Sequence, residues 1–132
     1  MKLITRDTDY AIRAICYIAG GKNKLTSVSE LVEELKIPRP FLRKILQLLN
    51  KKRILTSYKG KDGGFLLARP ANRIFLLDLI KIFQGPLKLN ECLLKKIICP
   101  NVRACLLKKK IDVVEKYVFS ELGPITMDNL LK

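Results

Sequence analysis

The chain has 132 residues, of which 48% are hydrophobic, so it is large enough for one domain with a real core and too apolar to be disordered throughout. Its 26 basic and 12 acidic residues give a formal net charge of +14, which favours a polyanionic partner such as nucleic acid or an anionic membrane surface. Histidine is absent, which excludes histidine acid–base catalysis and Cys/His zinc sites.

The first residues do not have the pattern of a signal peptide, because Asp7 and Asp9 interrupt them and they contain no continuous apolar segment. No apolar run in the sequence is long enough to span a bilayer. We therefore expect a cytoplasmic protein with no membrane partner. Thiols stay reduced in that compartment, so clustered cysteines there more often bind metal or sense redox state than form structural disulfides.

The first helical pattern covers residues 8–19, where apolar residues recur at helical spacing and a glycine pair follows. Cys16 lies inside this apolar helix, where we expect it to act as a small buried hydrophobe. A second helix is predicted from Ser27, which has the spacing of a capping box with Glu30. Pro38 then disfavours a helical conformation at Ile37, so the second helix is expected to end there.

A third helix is predicted over residues 40–51, and with the second helix it forms a helix-turn-helix pattern. The residues expected in the core are Phe41, Leu42, Ile45, Leu48 and Leu49. In such a motif the second helix enters the major groove, where arginine can pair with guanine and glutamine with adenine. The candidate DNA-contacting residues are Arg39, Pro40, Arg43, Lys44 and Gln47. The alternative is a basic face that is merely solvated.

Two short runs of strand formers, residues 54–58 and 65–68, flank the glycine-rich loop KGKDGG. A hairpin directly after a recognition helix is the wing of a winged helix. Lys59 and Lys61 would lie at its tip, where cations contact phosphates or a narrow minor groove. Residues 36–61 contain nine basic residues and no acidic one, whereas solvated surfaces generally mix the two signs. Together these features predict binding to double-stranded DNA.

Beyond the wing, residues 76–84 predict a helix that ends at Gly85, and residues 103–122 predict a long amphipathic helix. Its apolar stripe is Ile111, Val114, Val118 and Leu122. The stripe is longer than so small a domain readily covers, so it predicts a homodimer, although packing on the helix's own winged domain is the alternative. A short terminal helix is expected to cover the dimer seam. The predicted divisions are a winged domain at 1–85, a cysteine-containing loop at 86–105, and a dimerisation helix with its tail at 106–132.

Three cysteines, Cys92, Cys99 and Cys105, have the spacing C-x6-C-x5-C, which differs from the C-x2-C pairs of common zinc sites. Soft thiolates suit iron–sulfur clusters, zinc and copper(I), and nearby basic residues favour the thiolate form. Pro100 favours an extended backbone at the preceding cysteine, so this part is predicted to be loop. Clusters usually take four protein ligands. The candidates for the fourth are Asp7, Asp9, Glu91, Cys16 or a small molecule, and unligated cysteines remain the alternative.

Several segments together resemble the Rrf-two family of bacterial winged-helix regulators, the group containing IscR, NsrR and CymR. They are MKLITRDTDYAIRAI, VSELVEELKIPRPFLRKILQLL, KGKDGGFLLARP, the cysteine trio and the ITMDNLL ending. The resemblance covers essentially the whole chain. It implies a homodimer joined by the long helix and bound to a near-palindromic operator.

The resemblance also implies a [2Fe–2S] or [4Fe–4S] cluster on Cys92, Cys99 and Cys105, where the cysteines of cluster-binding members fall. IscR-like members add a histidine three residues after the last cysteine, but Lys108 stands there in this chain. NsrR-like members add an N-terminal aspartate from the other subunit, and the TDYAIR stretch places Asp9 at that position.

The sequence therefore predicts a mainly α fold with a small β-hairpin wing, a winged helix-turn-helix with a long C-terminal dimerisation helix. The predicted function is a transcriptional regulator that senses iron–sulfur cluster status, redox state or nitric oxide. One alternative is a regulator of the same family that responds to a small molecule or protein partner without a cluster, as in cysteine metabolism. Another is a zinc-stabilised nucleic-acid-binding module. An enzyme is not expected, because no catalytic base–nucleophile arrangement is present.

Overall fold

A computed structural model describes residues 2–21, 24–89 and 106–131 of the chain. Within these ranges the protein is mainly helical with one antiparallel β-hairpin, so the predicted fold class is confirmed. The elements are α1 (Arg6–Gly20), α2 (Val28–Leu35), α3 (Arg39–Lys51), β1 (Leu55–Tyr58), β2 (Gly64–Leu67), a 3-10 helix (Ala71–Arg73), α4 (Leu76–Gln84), α5 (Leu106–Leu122) and α6 (Met127–Leu130).

The first two helices begin at polar caps that satisfy free backbone N–H groups. Thr5 caps α1, so this helix begins earlier than its apolar pattern predicted. Ser27 caps α2 as predicted, accepting a hydrogen bond of 3.1 Å from the backbone N–H of Glu30. The second helix ends before the predicted Ile37, because Lys36 takes a left-handed conformation with φ of 57°. Ile37 is thereby directed into the core, where it is buried.

Helix α3 begins at Arg39 and places Pro40 in its first turn, where the missing N–H of proline is tolerated. Its buried residues are Leu42, Ile45, Leu46 and Leu49, which follow helical spacing along a single face. The prediction that Phe41 and Leu48 belong to the buried core was wrong. Phe41 lies at the edge of this face and is 39% exposed, and Leu48 is half-buried.

The hairpin that forms the wing pairs Leu55 with Leu67 and Tyr58 with Gly64. Its second strand also pairs with Thr26, since Phe65 donates a backbone hydrogen bond of 2.8 Å to the Thr26 carbonyl and accepts one of 3.1 Å. A Cβ atom at Gly64 would lie 2.6 Å from the Thr26 carbonyl oxygen, so this close approach requires glycine. The base of the wing is thus attached to the segment that precedes α2.

The C-terminal segment packs into the same core as the winged helix. Met127 is fully buried, and its backbone N–H donates a hydrogen bond of 2.9 Å to the Ile74 carbonyl. The Leu76 N–H in turn donates one of 3.0 Å to the Ile125 carbonyl. Met127 therefore fills the chain's own core, whereas Leu130 is exposed, and the expectation that the terminal helix covers a dimer seam stays a prediction. The division into segments 1–85, 86–105 and 106–132 stays a prediction.

Helix α5 divides the predicted apolar stripe between two environments. Val118 and Leu122 pack against the core of the same chain, whereas Val114 is 52% exposed. One face of α5 carries five large apolar side chains that are exposed: Leu106, Leu107, Val113, Val114 and Tyr117. The winged domain therefore covers only the C-terminal part of the helix. In the described ranges, no helix combines the length and apolar character needed to cross a membrane.

Candidate nucleic-acid interface

The nine basic residues between positions 36 and 61 are all exposed. They extend from the end of α2 across the outer side of α3 and the turn after it to the wing. None of them forms an ion pair with an acidic residue of the described part of the chain. This surface therefore carries positive charge that nearby carboxylates do not compensate, which is the electrostatic character of a nucleic-acid interface.

The outer side of α3 presents three of the predicted DNA-contacting residues, because Arg43, Lys44 and Gln47 are all exposed between the buried positions of the helix. Arg39 and Pro40, at its start, are exposed as well. A helix with its apolar face in the core and these donors outside can present them to base edges and phosphates. Their contacts with DNA remain a prediction.

Two contacts hold the first turn of α3 against neighbouring helices. Arg39 Nη2 donates a hydrogen bond of 2.9 Å to Ser29 Oγ in α2. On the α1 side, the Arg6 guanidinium lies 4.5 Å from the centroid of the Phe41 ring, a cation–π arrangement. The apolar character of Phe41 did not predict that this side chain would be exposed. In its exposed position the Phe41 ring contacts the Arg6 cation.

The wing places Lys59 and Lys61 on an exposed loop between β1 and β2, as predicted. Gly60 has φ of 113°, and its carbonyl accepts a hydrogen bond of 3.1 Å from Gly63 N–H. The loop is therefore a tight turn that only glycine readily forms at these positions. Tyr58, which the sequence analysis did not select, lies beside this loop and is 49% exposed.

Two of the three candidate carboxylates, Asp7 and Asp9, lie in the first turn of α1, where the helix dipole favours negative charge. The third, Glu91, lies outside the described residues. Asp9 Oδ2 lies 3.1 Å from Arg13 Nε, and Asp7 Oδ1 lies 3.7 Å from Arg6 Nε. Both ion pairs are largely exposed, so solvent screens them. A group from another chain can therefore reach the Asp9 carboxylate. To act as a ligand, this carboxylate would have to weaken or break its ion pair with Arg13.

The cysteine trio Cys92, Cys99 and Cys105 lies outside the described residues. Within the described part, no group of three Cys, Asp or Glu side chains could hold a metal ion. Cys16 is half-buried against the core, and this burial raises the pKa of its thiol. This packing against the core of its own chain agrees with the expected role of Cys16 as a small hydrophobe.

A polar network at the start of α1 was missed by the sequence analysis. Gln84 Oε1, at the end of α4, accepts hydrogen bonds of 2.9 Å from Thr5 N–H and 2.8 Å from Thr8 Oγ1. Gln84 Nε2 donates one of 3.1 Å to the Leu3 carbonyl. These partners are 76 to 81 positions apart in the chain, so no local spacing could indicate them.

A basic exposed helix followed directly by a hairpin with cations at its tip defines a winged helix-turn-helix DNA-binding protein. The fold is similar to CymR of B. subtilis, with a TM-score of 0.76 at 20% identity over 99% of this chain and 97% of that one. It is also similar to IscR of T. potens, with a TM-score of 0.76 at 23% identity over 99% of this chain and 86% of that one.

Sequence relatives cover nearly the whole chain. Protein Aau3 of Rhizobium meliloti (strain 1021) is 32% identical over 98% of this chain and 84% of its own length. A protein of Aquifex aeolicus (strain VF5), whose name places it among HTH-type transcriptional regulators, is 32% identical over 92% of this chain and 86% of its own length. The model of the Rrf2 family, described as iron-dependent transcriptional regulator, matches residues 4–132.

The chain belongs to the Rrf2 family of transcriptional regulators. This membership confirms the resemblance drawn from the wing, the helix-turn-helix and the chain ends. It also confirms the expectation that the protein is a DNA-binding regulator and not an enzyme.

Proposed function

We propose that the protein binds a near-palindromic DNA operator as a homodimer and that an iron–sulfur cluster controls this binding. The proposed binding to DNA is supported by the basic surface that extends from α3 to the wing and is not compensated by nearby carboxylates. The cluster part is supported by the C-x6-C-x5-C trio in a chain whose family model is described as iron-dependent.

The donor set fits a cluster with one ligand from outside the trio. Cys92, Cys99 and Cys105 would supply three thiolates, and Asp9 of the partner subunit would supply a carboxylate, which together make the usual four ligands. The exposed position of Asp9 in the first turn of α1 supports this assignment. When bound, the cluster would supply a redox-active centre that is open to oxidants and nitric oxide.

The proposed homodimer is supported by the exposed apolar face of α5. Leu106 is 74% exposed and Tyr117 is 65% exposed, which are large values for apolar side chains on one helix. An exposed apolar face of this kind is usually covered by a partner. A second copy of the same helix would cover it symmetrically and would set the distance between two recognition helices.

The cluster is tested by anaerobic purification followed by iron, sulfide and zinc analysis and a visible absorption spectrum. We expect coloured protein that contains both iron and sulfide. Protein that remains colourless and iron-free after attempted reconstitution would refute the cluster. Zinc without sulfide would instead indicate a zinc-stabilised module.

The second candidate is a regulator that responds to a small molecule or protein partner without a cluster. Its support is the fold shared with CymR, the global cysteine regulator of B. subtilis. The variant Cys92→Ala separates the two functions. Under the proposed function it abolishes the response of DNA binding to oxidants or nitric oxide, whereas under the second candidate the response to the effector is unchanged.

The operator is tested by selecting binding sites from a random DNA pool. We expect two half-sites related by a two-fold axis and about one helical turn apart, as for other dimeric helix-turn-helix proteins. Selection of a single half-site, or of no sequence at all, would refute the proposed dimeric readout.

A further inference from the structure

The first turn of α1 is held on one side by the side chain of Gln84. Its carboxamide oxygen accepts from both Thr5 and Thr8, and its nitrogen donates to the carbonyl of Leu3. Thr8 is completely buried, and Thr5 is the cap of α1. A single side chain at the end of α4 therefore fixes both the cap of α1 and the residues that precede it.

The same turn of α1 is held on the other side by the recognition helix. Arg6 directly follows the Thr5 cap, and its guanidinium lies over the ring of Phe41 in the first turn of α3. The first turn of α1 thus lies between the end of α4 and the start of α3. A displacement of the α4 end can reach the recognition helix through one helical turn.

Gln84 also lies where the chain leaves the winged domain. Gly85, with φ of 81°, ends α4 directly after it, and Leu87 is buried in the core. Cys92 follows eight positions after Gln84 in the sequence. The residue that holds the start of α1 is therefore close in sequence to the first cysteine.

We propose that Gln84 is a positioning residue that couples the cysteine-containing segment to the recognition helix. A displacement of residues 86–89, which follow α4, acts on Gln84, which transmits it through the first turn of α1 and Arg6 to Phe41. This role rests on the proposed function, because it assumes that the state of the cysteines controls DNA binding. It adds the route by which that state reaches α3.

A matched control for this role exists elsewhere in the chain. Asn129 Oδ1 accepts hydrogen bonds of 2.9 Å from Thr126 N–H and 3.1 Å from Thr126 Oγ1 at the start of α6. Gln84→Ala and Asn129→Ala therefore remove the same kinds of bonds, to a backbone N–H and a threonine hydroxyl. The bonds of Gln84 reach the turn of α1 whose Arg6 lies over Phe41, whereas those of Asn129 stay at the start of α6.

The first experiment measures hydrogen–deuterium exchange of the full chain without DNA, so it does not depend on the proposed function. We expect Gln84→Ala to raise exchange over residues 39–44, including the Leu42 amide that bonds to the Pro38 carbonyl at 3.1 Å. We expect Asn129→Ala to leave these residues unchanged. Gln84→Glu keeps an oxygen that accepts from Thr5 and Thr8 but loses the donor to the Leu3 carbonyl, so it should restore only part of the protection. Equal exchange in both alanine variants would overturn the positioning role.

The second experiment compares operator affinity of the cluster-free protein with that of anaerobically reconstituted protein. We expect Gln84→Ala to reduce the affinity ratio between these forms by about fivefold or more, a typical size for coupling between sites. Asn129→Ala should keep the wild-type ratio. A wild-type ratio that persists in Gln84→Ala would overturn the coupling. If the wild-type protein shows no difference between the two forms, the proposed function fails, and the exchange experiment alone decides the role of Gln84.

Discussion

Arg39 at the start of α3 and Ser29 in α2 are joined by a hydrogen bond of 2.9 Å that crosses the turn of the helix-turn-helix. Both side chains are exposed, so the bond lies at the surface that would face DNA. A guanidinium has five N–H donors, and one bond to a hydroxyl leaves others for a phosphate oxygen. The contact therefore orients Arg39 before DNA arrives.

Arg39→Ala is expected to weaken binding to the operator and to random DNA by the same factor. The reason is that a phosphate contact carries no sequence information. The plot of log affinity against log salt concentration should become less steep by about one. Fluorescence anisotropy titrations at several salt concentrations measure both effects. Lys116→Ala, on α5, removes the same charge outside the basic surface and serves as the control. A loss confined to the operator would assign Arg39 to a base instead.

Arg43→Ala is expected to weaken binding to the operator more than to random DNA, by about 1–3 kcal/mol if it pairs with a guanine edge. Arg43→Lys should recover little of the loss, because lysine keeps the charge but lacks the planar pair of donors. Competition titrations with operator and random duplexes give the comparison. Equal loss on both DNAs would make Arg43 a phosphate contact.

Gly64→Ala is expected to destabilise the protein by on the order of 2 kcal/mol, because the added methyl group would overlap the Thr26 backbone. A Cβ atom there would lie 2.6 Å from the carbonyl oxygen of Thr26, which cannot move without breaking the pairing with Phe65. Urea unfolding followed by circular dichroism measures the change.

Gly20→Ala is the control for this substitution. A Cβ atom at Gly20 meets no atom within 4 Å, so the change should be neutral or stabilise the protein by about 0.4–1 kcal/mol. Equal effects of the two substitutions would contradict the assigned role of the close approach at the base of the wing.

The sequence predicted the elements of the fold because their signals are local. The Ser27 cap and the breaker Gly85 act within one turn of their helices, and the glycine-rich loop sets its own hairpin. Phe41 was misassigned because an apolar residue at the edge of a helix face fits either side until the neighbouring Arg6 is located.

The network around Gln84 could not be predicted, since it depends on tertiary contacts between the two ends of the winged domain. The packing of Met127 into the core has the same cause, because its partner Ile74 lies on a different element. The contacts of the candidate DNA-binding residues and the ligation of the cysteine trio remain predictions.

Cys16 is expected to react slowly with iodoacetamide in folded protein whose other cysteines, Cys92, Cys99 and Cys105, are replaced by serine. Burial raises the pKa of the Cys16 thiol, so less thiolate is present at neutral pH. The rate of alkylation of Cys16 should rise at a higher pH than the rate for a free thiol. Unfolding in urea should bring the two pH profiles together.

The same shift sets a sign for stability. The folded state favours the protonated Cys16 thiol. The contribution of this thiol to the free energy of unfolding is therefore complete below the pKa that it has in the unfolded chain, and it is lost as the pH rises through the higher pKa of the folded state. A folded-state rate profile that matches a free thiol would contradict the burial of Cys16.

The combined substitution of Val114→Asp and Tyr117→Asp is expected to convert a dimer into a monomer. Both side chains are exposed on the apolar face of α5, where buried carboxylates at an interface would be costly. Sedimentation equilibrium measures the mass. Lys116→Asp places one carboxylate at another exposed position of the same helix and should leave the dimer intact. A wild-type monomer would contradict the proposed interface.

Helix α5 is anchored at one end. Val118 and Leu122 pack against the core, and α6 follows with Met127 buried, whereas Leu106 and Leu107 at the opposite end are exposed. A helix of 17 residues is about 25 Å long, so a tilt of about 5° at the anchored end displaces the other end by roughly 2 Å. A small tilt at the anchored end is therefore amplified at the end that adjoins Cys105 in the sequence.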